Sequence, residues 1–269
     1  MTARFGTQDE KGSLEDAARL IVAWLGESKS TVAFTGAGIS TESGIPDFRS
    51  LGGVWAKNDP VYYDDFMRFP ESRYEYWRQK AEAHRDFAGA EPNCTHQTLA
   101  RWEEQGRLKG VVTQNIDGLH QDAGNRNVLE LHGTAREIAC LDCDWREPTG
   151  MWVQRFLEED QVPPCPECKG RLKHATVSFG QTLPREVLQA AIHWSSESDL
   201  FFAMGSSLVV EPAASLPRLA AENGARLVIL NRDKTPLDRI ASLIVNAPLG
   251  ELMAAVAEAE ESLPSTSTD

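Results

Sequence analysis

The sequence lacks any apolar run that could span a bilayer, since no stretch approaches the roughly eighteen consecutive apolar residues that a transmembrane helix needs. The first residues, MTARFGTQDEKGSLED, also lack the apolar centre of a signal peptide and the acid-poor composition of a transit peptide. We therefore expect a cytoplasmic protein with no membrane partner.

Basic side chains are scarce: 27 Lys and Arg stand against 40 Asp and Glu, which gives a formal charge of −13. Nucleic acids and anionic membranes carry the same sign of charge, so electrostatic repulsion opposes both as main partners. The same charge favours association with a basic partner.

Cysteine is also too sparse for a disulfide framework, because only five occur in 269 residues and four of them form two CxxC pairs. Cys140 with Cys143 and Cys165 with Cys168 have the spacing of a tetrahedral Cys₄ zinc site. Four thiolates would fill the coordination sphere and leave no position for water, so we predict a structural zinc rather than a catalytic one. The fifth, Cys94, is interpreted as a buried helical residue rather than a nucleophile.

The third glycine of a dinucleotide-binding fingerprint is missing, since Gly36 and Gly38 are followed by Thr at position 41. An ordinary dehydrogenase-type NAD site is therefore not supported, and for these glycines alone a tight strand-to-helix turn is an equally good explanation. The β-branched and aromatic run 31–35 nevertheless predicts a buried strand that ends at this turn, where small residues let phosphates reach backbone N–H groups. Residues 44–49 follow with a stiff turn, a carboxylate, an aromatic ring and a guanidinium, a combination that indicates a ligand.

Short apolar segments along the chain predict an α/β fold built on a doubly wound, parallel, Rossmann-like sheet. The five predicted strands are residues 31–35, 110–113, 128–131, 200–204 and 227–230. Each ends in glycine or polar residues, and ligands of such sheets bind beyond the carboxyl ends of the strands. We therefore expect all five strand ends to meet in one crevice.

A smaller helical and zinc-binding lobe is predicted as an insertion into this domain. The Rossmann-like domain is assigned to 13–60, 92–136 and 174–261, the small domain to 61–91 and 137–173, and flexible tails to 1–12 and 262–269. Packing beneath the small domain is the simplest role for most aromatic residues between 60 and 91.

His132 is the candidate general base, because an imidazole titrates near neutrality and this one follows a predicted strand at the proposed crevice. A histidine at a strand end can equally be a packed bystander. The other five histidines lack this context, although His120 lies near the site and is expected to support loop packing.

Taken together, GAGIS at 36–40, GIPDFR at 44–49, TQNID at 113–117, His132-Gly133 and the two CxxC pairs resemble the sirtuin family of NAD-dependent protein-lysine deacylases, over roughly residues 14–258. The class II branch is the most similar. The resemblance implies NAD and zinc as cofactors, His132 as the base and an extended acyl-lysine peptide as substrate. It implies NAD contacts by Gly36, Ala37, Gly38, Asp47, Phe48, Arg49, Gln114, Asn115, Ile116, Asp117, Gly205, Ser206, Ser207, Asn231 and Leu249. It implies peptide contacts by Val177, Phe179, Gly180, Val209 and Glu211.

The chemistry that the resemblance implies begins when the amide oxygen of the acyl-lysine attacks the nicotinamide ribose and nicotinamide leaves. The base then activates a ribose hydroxyl, and the acyl group moves to ADP-ribose. Protein mono-ADP-ribosylation shares the first step and is the alternative activity. A zinc-ribbon protein that binds nucleic acid is a third possibility, which the charge of −13 disfavours.

The acyl preference is predicted from two positions in the helical insertion. Sirtuins that prefer succinyl or malonyl lysine carry a Tyr-x-x-Arg pair there, and Trp77 and Lys80 stand at those positions. Without the planar fork of Arg a carboxylate loses its bidentate partner, while Trp77 would add apolar area for a hydrocarbon chain. We therefore expect acetyl or longer neutral acyl groups to be removed faster than succinyl groups. The alternative is that Trp77 packs in the core and Lys80 is solvated, in which case neither residue contacts the acyl group.

Overall fold

The structure is a computed structural model that describes residues 2–6, 13–47, 59–87 and 89–262. The strands found in this part of the chain number ten: β1 (Ala3–Gly6), β2 (Thr31–Thr35), β3 (Gly110–Thr113), β4 (Val128–Glu130), β5 (Gly133–Cys140), β6 (Arg146–Pro148), β7 (Leu172–Thr176), β8 (Leu200–Met204), β9 (Arg226–Leu230) and β10 (Leu243–Asn246). Its nine α-helices within these residues are α1 (Leu14–Glu27), α2 (Tyr63–Arg68), α3 (Pro70–Phe87), α4 (Cys94–Glu104), α5 (Leu119–Ala123), α6 (Thr149–Glu159), α7 (Arg185–Glu197), α8 (Ser215–Glu222) and α9 (Leu249–Glu261).

Seven strands form one sheet in the order β1-β10-β9-β8-β2-β3-β4, and every neighbouring pair is parallel. The central strands β2 and β8 are buried along their whole length. Burial on both faces explains why their sequences are continuous apolar runs rather than alternating patterns. The five predicted strands are confirmed within one residue at each end.

Two strands at one edge of the sheet were not predicted. β10 is a short apolar run, and β1 pairs with it in parallel from Ala3 to Gly6. The expectation of a flexible tail over 1–12 is therefore wrong for Ala3–Gly6. Four residues with one cation carry little strand signal, and their pairing depends on a partner strand 240 positions away in register.

Helices cover both faces of the sheet, as the doubly wound prediction requires. Helices α1, α4 and α9 pack on one face through buried residues such as Ile21, Trp102 and Met253. Helices α7 and α8 pack on the other face, where Leu216 and Ala220 contact the sheet. Ser13 caps α1 through its side chain, and the capping box with Asp16 fixes the start of this helix.

The small domain is built on an antiparallel sheet in the order β6-β5-β7. Helices α2, α3 and α6 cover this sheet and share a third buried cluster with it, which includes Phe66, Trp77, Trp152 and Phe156. This sheet starts at Gly133 and ends at Thr176, so it meets the large sheet next to His132. No helix among the described residues is long and apolar enough to cross a membrane.

Candidate active site

A cavity of about 1450 Å³ lies at the carboxyl ends of the large sheet and extends to the small domain. Residues that follow five strands line it: the glycine turn after β2, Gln114 to Ile116 after β3, His132 after β4, Gly205 to Ser207 after β8, and Asn231 after β9. The structure thus brings together the five strand ends that the sequence predicted to converge.

The glycine turn after β2 packs so closely against the loop after β8 that side chains would not fit. A Cβ atom on Gly36 would lie 2.8 Å from the Cβ of Ser206, and one on Gly38 would lie 2.8 Å from the Cα of Gly205. Gly38 N donates to Gly205 O at 2.8 Å and so locks the two loops together. We call this turn, residues 36–38, the glycine cradle; it lines the cavity, and the N–H groups of its two glycines are bonded to Met204 O and Gly205 O.

His132 is oriented by one hydrogen bond that also defines its tautomer. The ring Nδ1 lies 2.9 Å from the carbonyl oxygen of Gln114. A carbonyl can only accept, so Nδ1 carries the proton and Nε2 keeps its lone pair for use as a base. Burial lowers the pKa of His132, while the bond to Gln114 partly opposes that shift. A neutral imidazole in the cavity wall at pH 7 can therefore take up a proton.

Behind the cavity wall, Ser40 joins the two polar side chains that the resemblance assigns to nicotinamide and ribose. Its hydroxyl donates to Asp117 Oδ2 at 2.8 Å, and Asn115 Nδ2 donates to Ser40 Oγ at 3.0 Å. Asn115 lines the cavity, whereas Asp117 is not part of the lining and also accepts from the N–H of Leu119. Asp117 therefore orients Ser40 and Asn115 in this structure.

The remaining predicted NAD contacts lie along the same wall. Gln114 Nε2 donates to Ser206 Oγ at 2.8 Å, which connects the loops after β3 and β8. Asn231 and Leu249, the first residue of α9, line the cavity as well. Asp47 lines the cavity as well, while Phe48 and Arg49 lie outside the described residues.

Four of the five predicted peptide contacts line the cavity, namely Val177, Phe179, Gly180 and Glu211. Val209 does not line it and is 52% exposed beside it. The Phe179 ring lies 5.9 Å from the Tyr62 ring, and Tyr63 N donates to Phe179 O at 2.9 Å. Helix α2 thus supports the segment that begins at Val177.

The proposed acyl-contacting role of Trp77 is wrong. The indole is fully buried in the core of the small domain, and its Nε1 donates to the carbonyl of Leu172 at 3.0 Å. On an amphipathic helix the sequence alone does not tell which face meets the core and which meets a cavity. Its neighbours Tyr76 and Lys80 line the cavity instead.

Two further differences concern residues outside the predicted site. Cys94 is exposed at the first position of α4, not buried within the helix. Helix α7 contributes Leu188, Gln189 and Ile192 to the cavity wall, which sequence reasoning missed because these positions read as an ordinary amphipathic helix. His120 is buried and lies 2.9 Å from Thr35 Oγ1, as its predicted packing role requires.

The four cysteines of the CxxC pairs form one cluster in the small domain, with all sulfur atoms within 4.8 Å of one another. Cys140 Sγ lies 3.5 Å from Cys168 Sγ, and Cys143 Sγ lies 3.7 Å from Cys165 Sγ. Four sulfurs around a zinc ion with bonds of about 2.3 Å would be about 3.8 Å apart. The N–H groups of Asp142 and Gly170 point to two of the sulfurs, as expected for thiolates. The donor set fits zinc.

Comparison with known proteins gives consistent results. An NAD-dependent protein deacetylase 1 of Bradyrhizobium diazoefficiens is 46% identical over 231 residues, which cover 85% of this chain and 91% of the relative. A solved complex of Sir2 with a p53 peptide and NAD⁺ superposes with a TM-score of 0.79 at 39% identity, over 90% of this chain and 98% of that chain.

A second solved structure holds a Sir2 variant with deacetylated p53 peptide and 3′-O-acetyl ADP-ribose. It superposes with a TM-score of 0.81 at 39% identity, over 89% of this chain and 97% of that chain. A sequence model of the Sir2 family matches residues 36–212. The chain therefore belongs to the Sir2 family, the sirtuins.

Proposed function

We propose that this protein is an NAD-dependent protein-lysine deacylase that transfers an acyl group to ADP-ribose and releases nicotinamide. The observation that carries the proposal is the orientation of His132. Its Nε2 keeps a lone pair that can accept a proton, in a cavity that the glycine cradle also lines. Relatives and structural neighbours named for deacetylation and for acetyl ADP-ribose support the same reaction.

The roles of the other residues follow from their positions. When NAD is bound it supplies the electrophilic ribose carbon and, after nicotinamide leaves, the hydroxyl that receives the acyl group. The Gly36 to Gly38 cradle holds the diphosphate, while Asn115, fixed by Ser40, contacts the nicotinamide end. Asn231 and Leu249 contact the adenosine end. His132 Nε2 accepts the hydroxyl proton.

The peptide substrate lies in extended form beside Val177 to Gly180 and Glu211. Strand addition uses main-chain hydrogen bonds, so we expect loose selectivity for the residues that flank the acyl-lysine. The cysteine cluster lies in the small domain and holds a zinc ion that maintains the fold of this domain.

The proposal is tested by incubating the protein with NAD and an acetyl-lysine peptide and measuring nicotinamide, deacetylated peptide and acetyl-ADP-ribose. We expect the three products in equal amounts. The variant His132→Ala should lose at least about 100-fold in deacetylation, the lower range for removal of a general base, while its NAD affinity and melting temperature stay close to wild type.

The matched control is His193→Ala, since His193 is 63% exposed on α7 and pairs with Glu197 on the surface. It should be as active as wild type. Accumulation of ADP-ribosylated protein without acetyl-ADP-ribose would instead favour the alternative transferase activity. Retained turnover in His132→Ala would show that another group is the base.

A further inference from the structure

Lys173 is an unusual buried residue next to the active site. It lies in β7, its side chain is fully buried, and its Cα is paired with that of Ala139 on β5. No carboxylate among the described residues lies within ion-pair distance of its ammonium group. Burying a lysine side chain without a counter-ion costs free energy, and most buried strand positions carry apolar residues. The contacts of Lys173 must therefore compensate for that cost.

The side-chain nitrogen of Lys173 contacts two backbone carbonyl groups. Nζ makes a short hydrogen bond to Thr176 O and lies 3.5 Å from His174 O. It also lies 5.1 Å from the centre of the Tyr76 ring, a cation–π distance. Burial, together with the nearby charge of Lys80, lowers the pKa of Lys173 to about 7. A neutral amine still donates hydrogen bonds, so the contact with Thr176 is kept in both protonation states.

Thr176 has a second contact, with the side chain of Tyr76. The phenol oxygen lies 3.1 Å from Thr176 Oγ1, and both residues are buried. Tyr76 is itself held edge-to-face against Phe66, with ring centres 5.1 Å apart. Thr176 is thus fixed at its carbonyl by Lys173 and at its hydroxyl by a tyrosine that helix α3 contributes.

Thr176 is the junction between the small domain and the proposed peptide segment. The next residue, Val177, donates its N–H to the carbonyl of His132 at 2.8 Å. The Cα of Thr176 is paired with that of Gly133, whose hypothetical Cβ would lie only 2.0 Å from Ala175 O. A shift of Thr176 would therefore move both Val177 and the backbone that carries the His132 ring.

We propose that Lys173 and Tyr76 are positioning residues that together hold Thr176, and through it align the Val177 to Gly180 peptide segment with His132. The inference rests on the proposed function, because it assigns the alignment of that peptide segment and that base. Lys173 lies outside the cavity lining; the Tyr76 ring lines the cavity, but its hydroxyl is directed to Thr176 Oγ1. Their contribution is the fixed geometry of Thr176 and Val177.

The test uses the full-length, zinc-loaded protein with the variants Lys173→Met and Tyr76→Phe. Methionine keeps the length of the side chain without its donors, and phenylalanine keeps the ring without the hydroxyl. We expect KM for an acetyl-lysine peptide to rise by about 10-fold in Lys173→Met and about 3-fold in Tyr76→Phe, with a lower kcat. The dissociation constant of NAD should change by less than about 2-fold, because the glycine cradle is untouched.

The double variant separates a shared action from two independent effects. Since both residues act on Thr176, the loss in the double variant should be smaller than the product of the two single losses. Lys29→Met, which removes an exposed lysine outside the cavity lining, is the control and should behave as wild type.

Several outcomes would overturn the inference. If both variants had a lower melting temperature but unchanged kcat and KM, the two residues would stabilise the fold without aligning the peptide segment. Fully multiplicative effects would mean that they do not act through Thr176. If Lys173→Met does not fold, Tyr76→Phe decides alone, since deletion of one hydroxyl leaves the core packing intact. A wild-type protein without NAD-dependent deacetylation would instead contradict the proposed function.

Discussion

At the scale of single residues, one backbone hydrogen bond determines whether His132 can act as a base. The Gln114 carbonyl can accept only the Nδ1 proton, which leaves the lone pair on Nε2. A histidine that lay in the same wall without this bond could present either tautomer. Because Gln114 also fixes Ser206 through its side chain, one residue links the base to the loop beside the glycine cradle.

The pH dependence of the reaction follows from the same residue. Burial lowers the pKa of His132 below its ordinary value of about 6.5. The base is active when neutral, so the active form persists to a lower pH than for an exposed histidine. We expect kcat/KM, measured with a peptide that carries no other titratable group, to be flat near neutrality and to fall only below about pH 6.5. An acid limb centred above pH 7 would contradict the buried, neutral base.

Some residues of the site could be predicted from sequence, and others could not, for physical reasons. The glycines at 36 and 38 were identifiable because a strand that ends in small residues is a local pattern. Lys173 was not, because a buried ammonium opposes the rule that strands bury apolar side chains, and its justification is a carbonyl that only the folded chain brings near. Trp77 was misplaced because both faces of α3 carry aromatic residues, and the chain does not mark which face meets the cavity.

At the scale of elements, the large sheet was predictable and its edge was not. Fully buried parallel strands such as β2 and β8 are recognisable in the sequence as apolar runs. β1 has no such pattern, and it forms a strand because it pairs with β10 at the edge of the sheet. The small domain shows the same limit. The CxxC pairs predicted the metal site, but β5 and β7 extend beyond it to Gly133 and Thr176, where they help to build the active site.

Removal of the metal should affect the active site, because the small domain contributes to it. Zinc bound by four thiolates contributes folding free energy. β5 follows His132 and ends at Cys140, and β7 begins shortly after Cys168 and leads into Val177, so both strands connect the cysteine cluster to the site. We expect chelation, or Cys140→Ala, to lower the melting temperature by about 10 °C or more, since each kcal/mol corresponds to roughly 2–4 °C in a large domain. Deacetylation should fall in parallel.

Cys94→Ala provides the matched control, because Cys94 is exposed at the start of α4 and lies outside the four-cysteine cluster. It should keep the zinc content, melting temperature and activity of wild type. A metal-free protein with full activity and an unchanged melting temperature would contradict a structural zinc.

At the scale of the whole molecule, the net charge of −13 attracts or repels charged substrates before they reach the cavity. The described charged residues that line the cavity are nearly balanced: Glu42, Asp47, Glu82, Glu211 and Asp233 against Lys80, Arg185, Arg232 and Lys234. Any strong preference for a basic or acidic substrate must therefore come from the long-range field. Such a field is screened by salt, because the Debye length falls from about 30 Å at 0.01 M to about 8 Å at 0.15 M ionic strength.

This field predicts opposite salt effects for the two substrates. Between 20 and 300 mM NaCl, KM for an acetyl-lysine peptide flanked by arginines should rise several-fold, because attraction to the acidic protein is screened. KM for NAD, which is anionic, should not rise, and an otherwise identical peptide flanked by glutamates should show no increase either. A parallel rise of all three values would indicate a general effect of salt on the protein. An unchanged KM for the basic peptide would mean that contacts inside the cavity, rather than the charge of the whole molecule, determine how substrate proteins are attracted.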